Sequence, residues 1–171
     1  IPFATDWAGV QLHVLLETNG DAGGAASDPF VMPVNYGHAL RPDYALTSKY
    51  SANDYGDFRK ASGAGWQFWS TATATFEDSP GANNIQGSWV EITADAVRIA
   101  IPFAALGGAP DSLRCEVYAT QEDGGQKRSA FDSVPPDATL DLDFDYLDPQ
   151  AGDWEATALP VTLSQWGRTY R

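Results

Sequence analysis

The chain has 171 residues, with 10 basic against 23 acidic side chains and a formal charge of -13. That length suits one domain around a single core, no apolar run reaches the ~18–20 residues of a membrane-spanning helix, and the acid excess argues against nucleic acid or an anionic membrane as partner, because both demand a basic surface. Apolar residues make up 43%, enough to build a core despite the charge, and 16 Gly with 11 Pro mark a turn-rich β protein.

The segment Val10–Glu17 (VQLHVLLE) is almost continuously apolar, as a central strand covered on both faces would be. A polar, Gly-rich loop runs from Thr18 to Pro29 (TNGDAGGAASDP). Tyr44–Tyr50, Asp57–Lys60 and Trp66–Ser70 are short strand-like runs separated by Ser, Asn, Asp and Gly. Within Ser88–Leu106, Val90 and Ile92 alternate with Trp89, Glu91 and Thr93, Thr93–Ala96 reads as a turn, and Val97, Ile99 and Ile101 share one face. Proline suits the first position of a helix and glycine the position past its end, so Pro102–Leu106 is predicted to be one helical turn. Leu113–Thr120 follows, with Leu113, Cys115, Val117 and Ala119 predicted to face inward, and Asp123-Gly124-Gly125 signals a reversal. Leu140–Leu147 and Val161–Leu163 read as further strands. With no long helical periodicity, repeat or linker, the prediction is a single all-β domain, an antiparallel β-sandwich of jelly-roll or immunoglobulin-like type. Val97, Ile99 and Ile101 are expected to be buried with Cys115 and Val117.

Several residues carry candidate chemistry. Asn19, Asp21 and Asp28 put oxygen ligands in a permissive loop of the kind that suits calcium, although their spacing is not that of an EF-hand; Asn and Asp also simply favour turns. In LDLDFDYL, Asp141, Asp143 and Asp145 share a strand face, which fits protection of a sheet edge better than a metal site. Six Trp and seven Tyr exceed what a core of this size requires, and flat rings suit stacking against the C–H face of a pyranose. Alternation in GWQFWS sends Trp66 and Phe68 to one face and Trp69 to the other, so either Trp66 or Trp69 points outward. Tyr55 and Trp154 lie in turn-rich neighbourhoods and are the other candidate sugar-binding rings, although tryptophan is highly buried on average. Cys115 is the only cysteine, which rules out an internal disulfide and a CxxC site. No GxSxG, HExxH or P-loop pattern occurs, and His13 and His38 are the only histidines. We expect no catalytic activity.

Three stretches, LLETNGDAGG, VRIAIPFAALGG and VYATQEDGGQKRSAF, occur in an order that resembles the DOMON-like β-sandwiches related to family 9 carbohydrate-binding modules, of the kind appended to bacterial glucodextranases and amylopullulanases. The resemblance runs from Asp6-Trp7 to about Phe131. It implies a secreted, non-catalytic module that binds an α-glucan-type polysaccharide, carries structural calcium and is attached to the catalytic domain of a glycoside hydrolase. A structural module that packs on a catalytic domain without binding sugar is the alternative. Some DOMON domains bind haem through Met and His; Met32 and His38 are too close in sequence to clamp one, which leaves His13 with Met32. Such modules also have one or two strands ahead of the Asp6-Trp7 segment, for which five residues leave no room. We therefore expect a fragment, with an open sheet edge or a partner chain beside Val10–Glu17.

Overall fold

The computed structural model describes residues 10–20, 23–49, 55–63, 65–79, 89–92, 96–123, 126–127, 130, 132–136, 161–167 and 169–170. These residues are all-β. The strands are β1 (Val10–Glu17), β2 (Val34–Tyr36), β3 (Tyr44–Lys49), β4 (Tyr55–Ser62), β5 (Gly65–Ser70), β6 (Thr75–Glu77), β7 (Val90–Ile92), β8 (Val97–Ile99), β9 (Arg114–Asp123), β10 (Gln126–Lys127), β11 (Asp132–Val134) and β12 (Val161–Leu163). Helix among them is confined to a 3-10 turn at Phe103–Leu106, which Pro102 opens and Gly107 ends in the left-handed conformation at φ 82°. The sequence strands at Leu140–Leu147 and the turn residues 93–95 lie outside the described residues.

One large antiparallel sheet has the order β10-β9-β1-β3-β4-β5-β6, with β11 also paired to β9. Two short sheets complete the sandwich, a parallel β12–β2 pair and an antiparallel β7–β8 pair. They pack on opposite faces of the large sheet, because Val34, Tyr36 and Leu163 cluster with Leu15 and Ala45, whereas Val90, Val97 and Ile99 cluster with Leu16 and Leu46. Pairing β1 with β3 and with β9 along its length covers both of its edges. The expected open edge beside Val10–Glu17 is thus corrected: the apolar run is central because two strands of this chain flank it.

The registers sort the side chains into two unlike faces. Leu16 lies opposite Tyr44 and Cys115, and Leu46 opposite Phe58, so these residues share one face with Trp69 and Phe76. That face is aromatic: Phe58 lies 5.3 Å from Phe76, 5.8 Å from Trp89 and 6.4 Å from Trp69, ring centre to ring centre. Val97, Ile99, Ile101 and Cys115 pack against it half-buried. The expected grouping holds for these four, but they and Val117 are half-buried rather than buried. The other face carries Gln11, His13, Leu15 and Glu17 of β1 beside Thr120, Tyr118, Glu116 and Arg114 of β9. The Leu113–Thr120 segment is covered on both faces. Leu113 and Cys115 pack against the aromatic cluster and Ala119 is buried, as expected, but on this second face Glu116, Tyr118 and Thr120 are buried too, more deeply than the half-buried Leu113, Cys115 and Val117. The cause is the covering segment from Gly23 to Asp43, which brings polar partners to this face.

That segment is tied down at several points. Ala25 N–H donates to Pro42 O at 3.1 Å, Asp28 N–H to Val34 O at 3.0 Å and Tyr36 N–H to Ala26 O at 2.9 Å. Gly24 is required by the approach, because a Cβ there would drive into the carbonyl oxygens of Arg41 and Pro42. Asp43 closes the loop from below, accepting from Thr18 N–H at 2.8 Å, Thr18 Oγ1 at 2.9 Å and Asn19 Nδ2 at 3.0 Å.

Candidate functional site

Two arrangements on the mixed face merit chemical scrutiny, one buried and one reaching the surface. The buried one centres on Asp28. Its Oδ1 accepts the N–H groups of Phe30 at 2.6 Å and Met32 at 3.0 Å, and Tyr118 donates its hydroxyl to Oδ2. The Tyr36 hydroxyl lies 2.8 Å from that of Tyr118 and 3.3 Å from Asp28 Oδ2. His13 stacks on Tyr118 at 4.5 Å, holds Thr120 Oγ1 through Nε2 at 2.7 Å and brings Nδ1 to 3.8 Å from Asp28 Oδ2. Nearby on β9, Glu116 is bound by His38 Nε2 at 2.7 Å, and His38 rests against Trp166 at 4.3 Å. Burial pushes the Asp28 carboxyl above its ordinary range, with the four donors pulling the other way. Burial above all holds both tyrosines neutral well beyond their ordinary value, followed by the Asp28 charge for Tyr36 and by Tyr36 and then Asp28 for Tyr118.

This network is structural. Four donors point their protons at the Asp28 oxygens that a cation would need, so Asp28 does not fit a calcium shell. Among the described residues no group of three or more His, Cys, Asp or Glu side chains is placed to hold a metal. Asn19 is exposed and its amide donates to Asp43, while Asp21 lies outside the described residues. Nor does the chain suit haem through His13, whose ring lies against Tyr118 and Phe30 and whose Nε2 is engaged by Thr120. The Cys115 thiol is pushed up to about 11 by burial and the Glu116 charge, so it is no nucleophile at neutral pH.

The second arrangement lies toward the β6 end of the same face. Trp69 is buried in the aromatic face, which sends Trp66 and Phe68 to the mixed face, where both are half-buried. The Trp66 ring is half-buried, packed against the core cluster that holds Phe30, Met32 and Val34, and the rest of it reaches solvent. Its cross-strand neighbour is the small Ala61, and β6 ends at Glu77, opposite Phe68 rather than opposite Trp66. The indole is oriented by donating Nε1–H to Ser27 O at 3.1 Å. Beside it runs a row of Arg59, Phe68 and Glu77 across three strands. Arg59 grips Asp57 with Nε at 2.9 Å and Nη2 at 2.5 Å, and lays its guanidinium 3.7 Å over the Phe68 ring and 5.4 Å over Phe30. Glu77 accepts the Thr73 hydroxyl at 2.6 Å. The result is a held indole that shares its sheet face with Glu77 and with the largely covered Arg59–Asp57 pair.

Of the sugar-binding rings read from the sequence, Trp66 takes this place, Tyr55 opens β4, and Trp154 lies outside the described residues. Arg59 and Glu77 were missed, although alternation in DFRKAS and TFE would have placed them with Phe68 once the pairing of β4, β5 and β6 was known. No family model matches the chain, and neither a curated protein nor a solved structure does.

Proposed function

We propose that the protein is a non-catalytic carbohydrate-binding module whose ligand stacks on Trp66. The observation that carries this reading is the half-buried Trp66 ring, held by Ser27 and sharing its sheet face with the Arg59–Phe68–Glu77 row. A sugar ring offers an apolar C–H face to an indole and hydroxyls to charged groups at its edge, which matches this combination of flat ring and rim. The three stretches that carry the family resemblance also support it. They occupy β1 and its loop, β8 with the 3-10 turn, and the β9–β10 hairpin, and β1 and β9 are neighbours at the centre of the sheet. An α-glucan ligand, secretion, attachment to a glycoside hydrolase and a calcium ion drawing on Asn19 and Asp21 without Asp28 belong to the same proposal.

Retention on insoluble starch and on insoluble β-glucan tests it. The wild type should be retained on starch and released by soluble oligosaccharide, and Trp66→Ala should lower retention at least tenfold without moving the melting temperature by more than a few degrees. Absence of retention on both supports would favour the structural-module alternative.

A further inference from the structure

The turn that holds Trp66 contains a backbone conformation that its side chain does not suit. Val31 has φ 65°, in the left-handed region, and is 75% exposed, while its neighbours Phe30 and Met32 are both buried. A β-branched residue incurs a steric penalty in this conformation that glycine would not. The conformation itself is dictated by Asp28, since curling the chain so that Phe30 N–H and Met32 N–H reach one carboxylate oxygen places the residue between them at positive φ. That requirement concerns the backbone alone, and a glycine in place of Val31 would meet it with less strain. Nor does the Val31 side chain offset the strain by burial within the described structure. Among the described residues, the other non-glycine at positive φ, Ala74, sits in the β5–β6 hairpin turn and bears no bulky group.

The turn adjoins the platform at two places. Ser27 O receives the Trp66 indole N–H, and the Phe30 ring lies beneath the Arg59 guanidinium that also covers Phe68. Val31 is the exposed residue directly after Phe30. A strained, solvent-facing apolar side chain on a rigid support next to an aromatic platform has the character of a recognition residue, because strain of this kind persists where function uses it. Resting on the sugar-binding reading above, we propose that Val31 is a ligand-contacting residue of the Trp66 site, its isopropyl group covering the apolar C–H surface of a sugar ring stacked on the indole and so selecting which ring edge can enter.

Titration calorimetry with maltohexaose and cellohexaose on the wild type, Val31→Gly, Val31→Thr and Trp66→Ala tests this. Val31→Gly relieves the backbone strain, so its melting temperature should not fall by more than a few degrees, yet its affinity for the hexaose that the wild type binds should drop about tenfold, equivalent to about 1.4 kcal/mol. Val31→Thr keeps the shape and the strain and should retain affinity within about threefold. Affinity of Val31→Gly within twofold of wild type, while Trp66→Ala loses binding, would overturn the role of Val31 and leave the platform standing. A wild type that binds neither hexaose, or a Trp66→Ala variant that binds as well as wild type, would overturn the platform reading and this inference with it.

Discussion

At the scale of single residues, Asp28 shows how one carboxylate organises a loop. It ties the covering segment to β9 through Tyr118 and shapes the Val31 turn through two backbone N–H groups. Its ionised form is nonetheless disfavoured by burial, which raises the folded-state value above 3.8. A carboxyl whose folded value is raised contributes stability that is fully present below 3.8 and is lost as pH rises through the folded value. Asp28→Asn carries no titrating group at this position. Urea unfolding of both proteins at pH 7 and near pH 4 should therefore show the wild type gaining stability relative to the variant on acidification. A gap that stays constant or moves the other way would mean that the four hydrogen bonds outweigh desolvation.

Whole elements are held by different means on the two faces of the sheet. On the aromatic side, Phe58 is fully buried among Tyr44, Trp69, Phe76 and Trp89. Phe58→Ala should cost about 3–5 kcal/mol, because the rigid rings around it cannot collapse into the space left behind. Phe103, at the start of the 3-10 turn, is 60% exposed, and its replacement by Ala should cost less than about 1 kcal/mol. Equilibrium denaturation of both variants checks the contrast. On the mixed face the layers meet through His38 with Glu116 and through Asp28 with Tyr36 and Tyr118, so a one-sided substitution there strands a buried polar partner.

Across the whole molecule, β1 is the axis. It has partners on both edges and a covering layer on both faces, while β6 ends the sheet. Amide exchange should follow this order. The amides of Leu12–Leu16 should exchange at least about 100-fold more slowly than those of β6 and β7, since they open only with global unfolding. Comparable rates in β1 and β6 would show that the sheet opens from its centre rather than from its margin. The acidic field of the chain acts at this scale too, and on the proposed sugar-binding function it would favour neutral over anionic glycans.

Local signals made much of this architecture legible from the amino-acid order alone. The apolar run Val10–Glu17, the strand-like runs Tyr44–Tyr50, Trp66–Ser70 and Val161–Leu163, and the Pro102–Leu106 turn rest on neighbours within a few residues. Strands at Val10–Glu17, Tyr44–Lys49, Gly65–Ser70 and Val161–Leu163 and a 3-10 turn at Phe103–Leu106 lie within a residue of them. The same reading placed Cys115 and Ala119 inward but gave no sign that Glu116, Tyr118 and Thr120 are buried too, because alternation reports that Cys115 and Glu116 face opposite ways but not that both faces meet a cover. That is decided by the Gly23–Asp43 segment, whose His38, Asp28 and Tyr36 make burial tolerable for Glu116 and Tyr118. The platform divides in the same way. Trp66 and Phe68 were legible as a pair on one face of a strand, whereas Arg59, Glu77 and Ser27 join them only when β4, β6 and the covering turn come alongside. Backbone periodicity is a property of a few adjacent residues; which charge receives a partner and which ring stays open are properties of segments far apart in the chain, and only tertiary packing sets those.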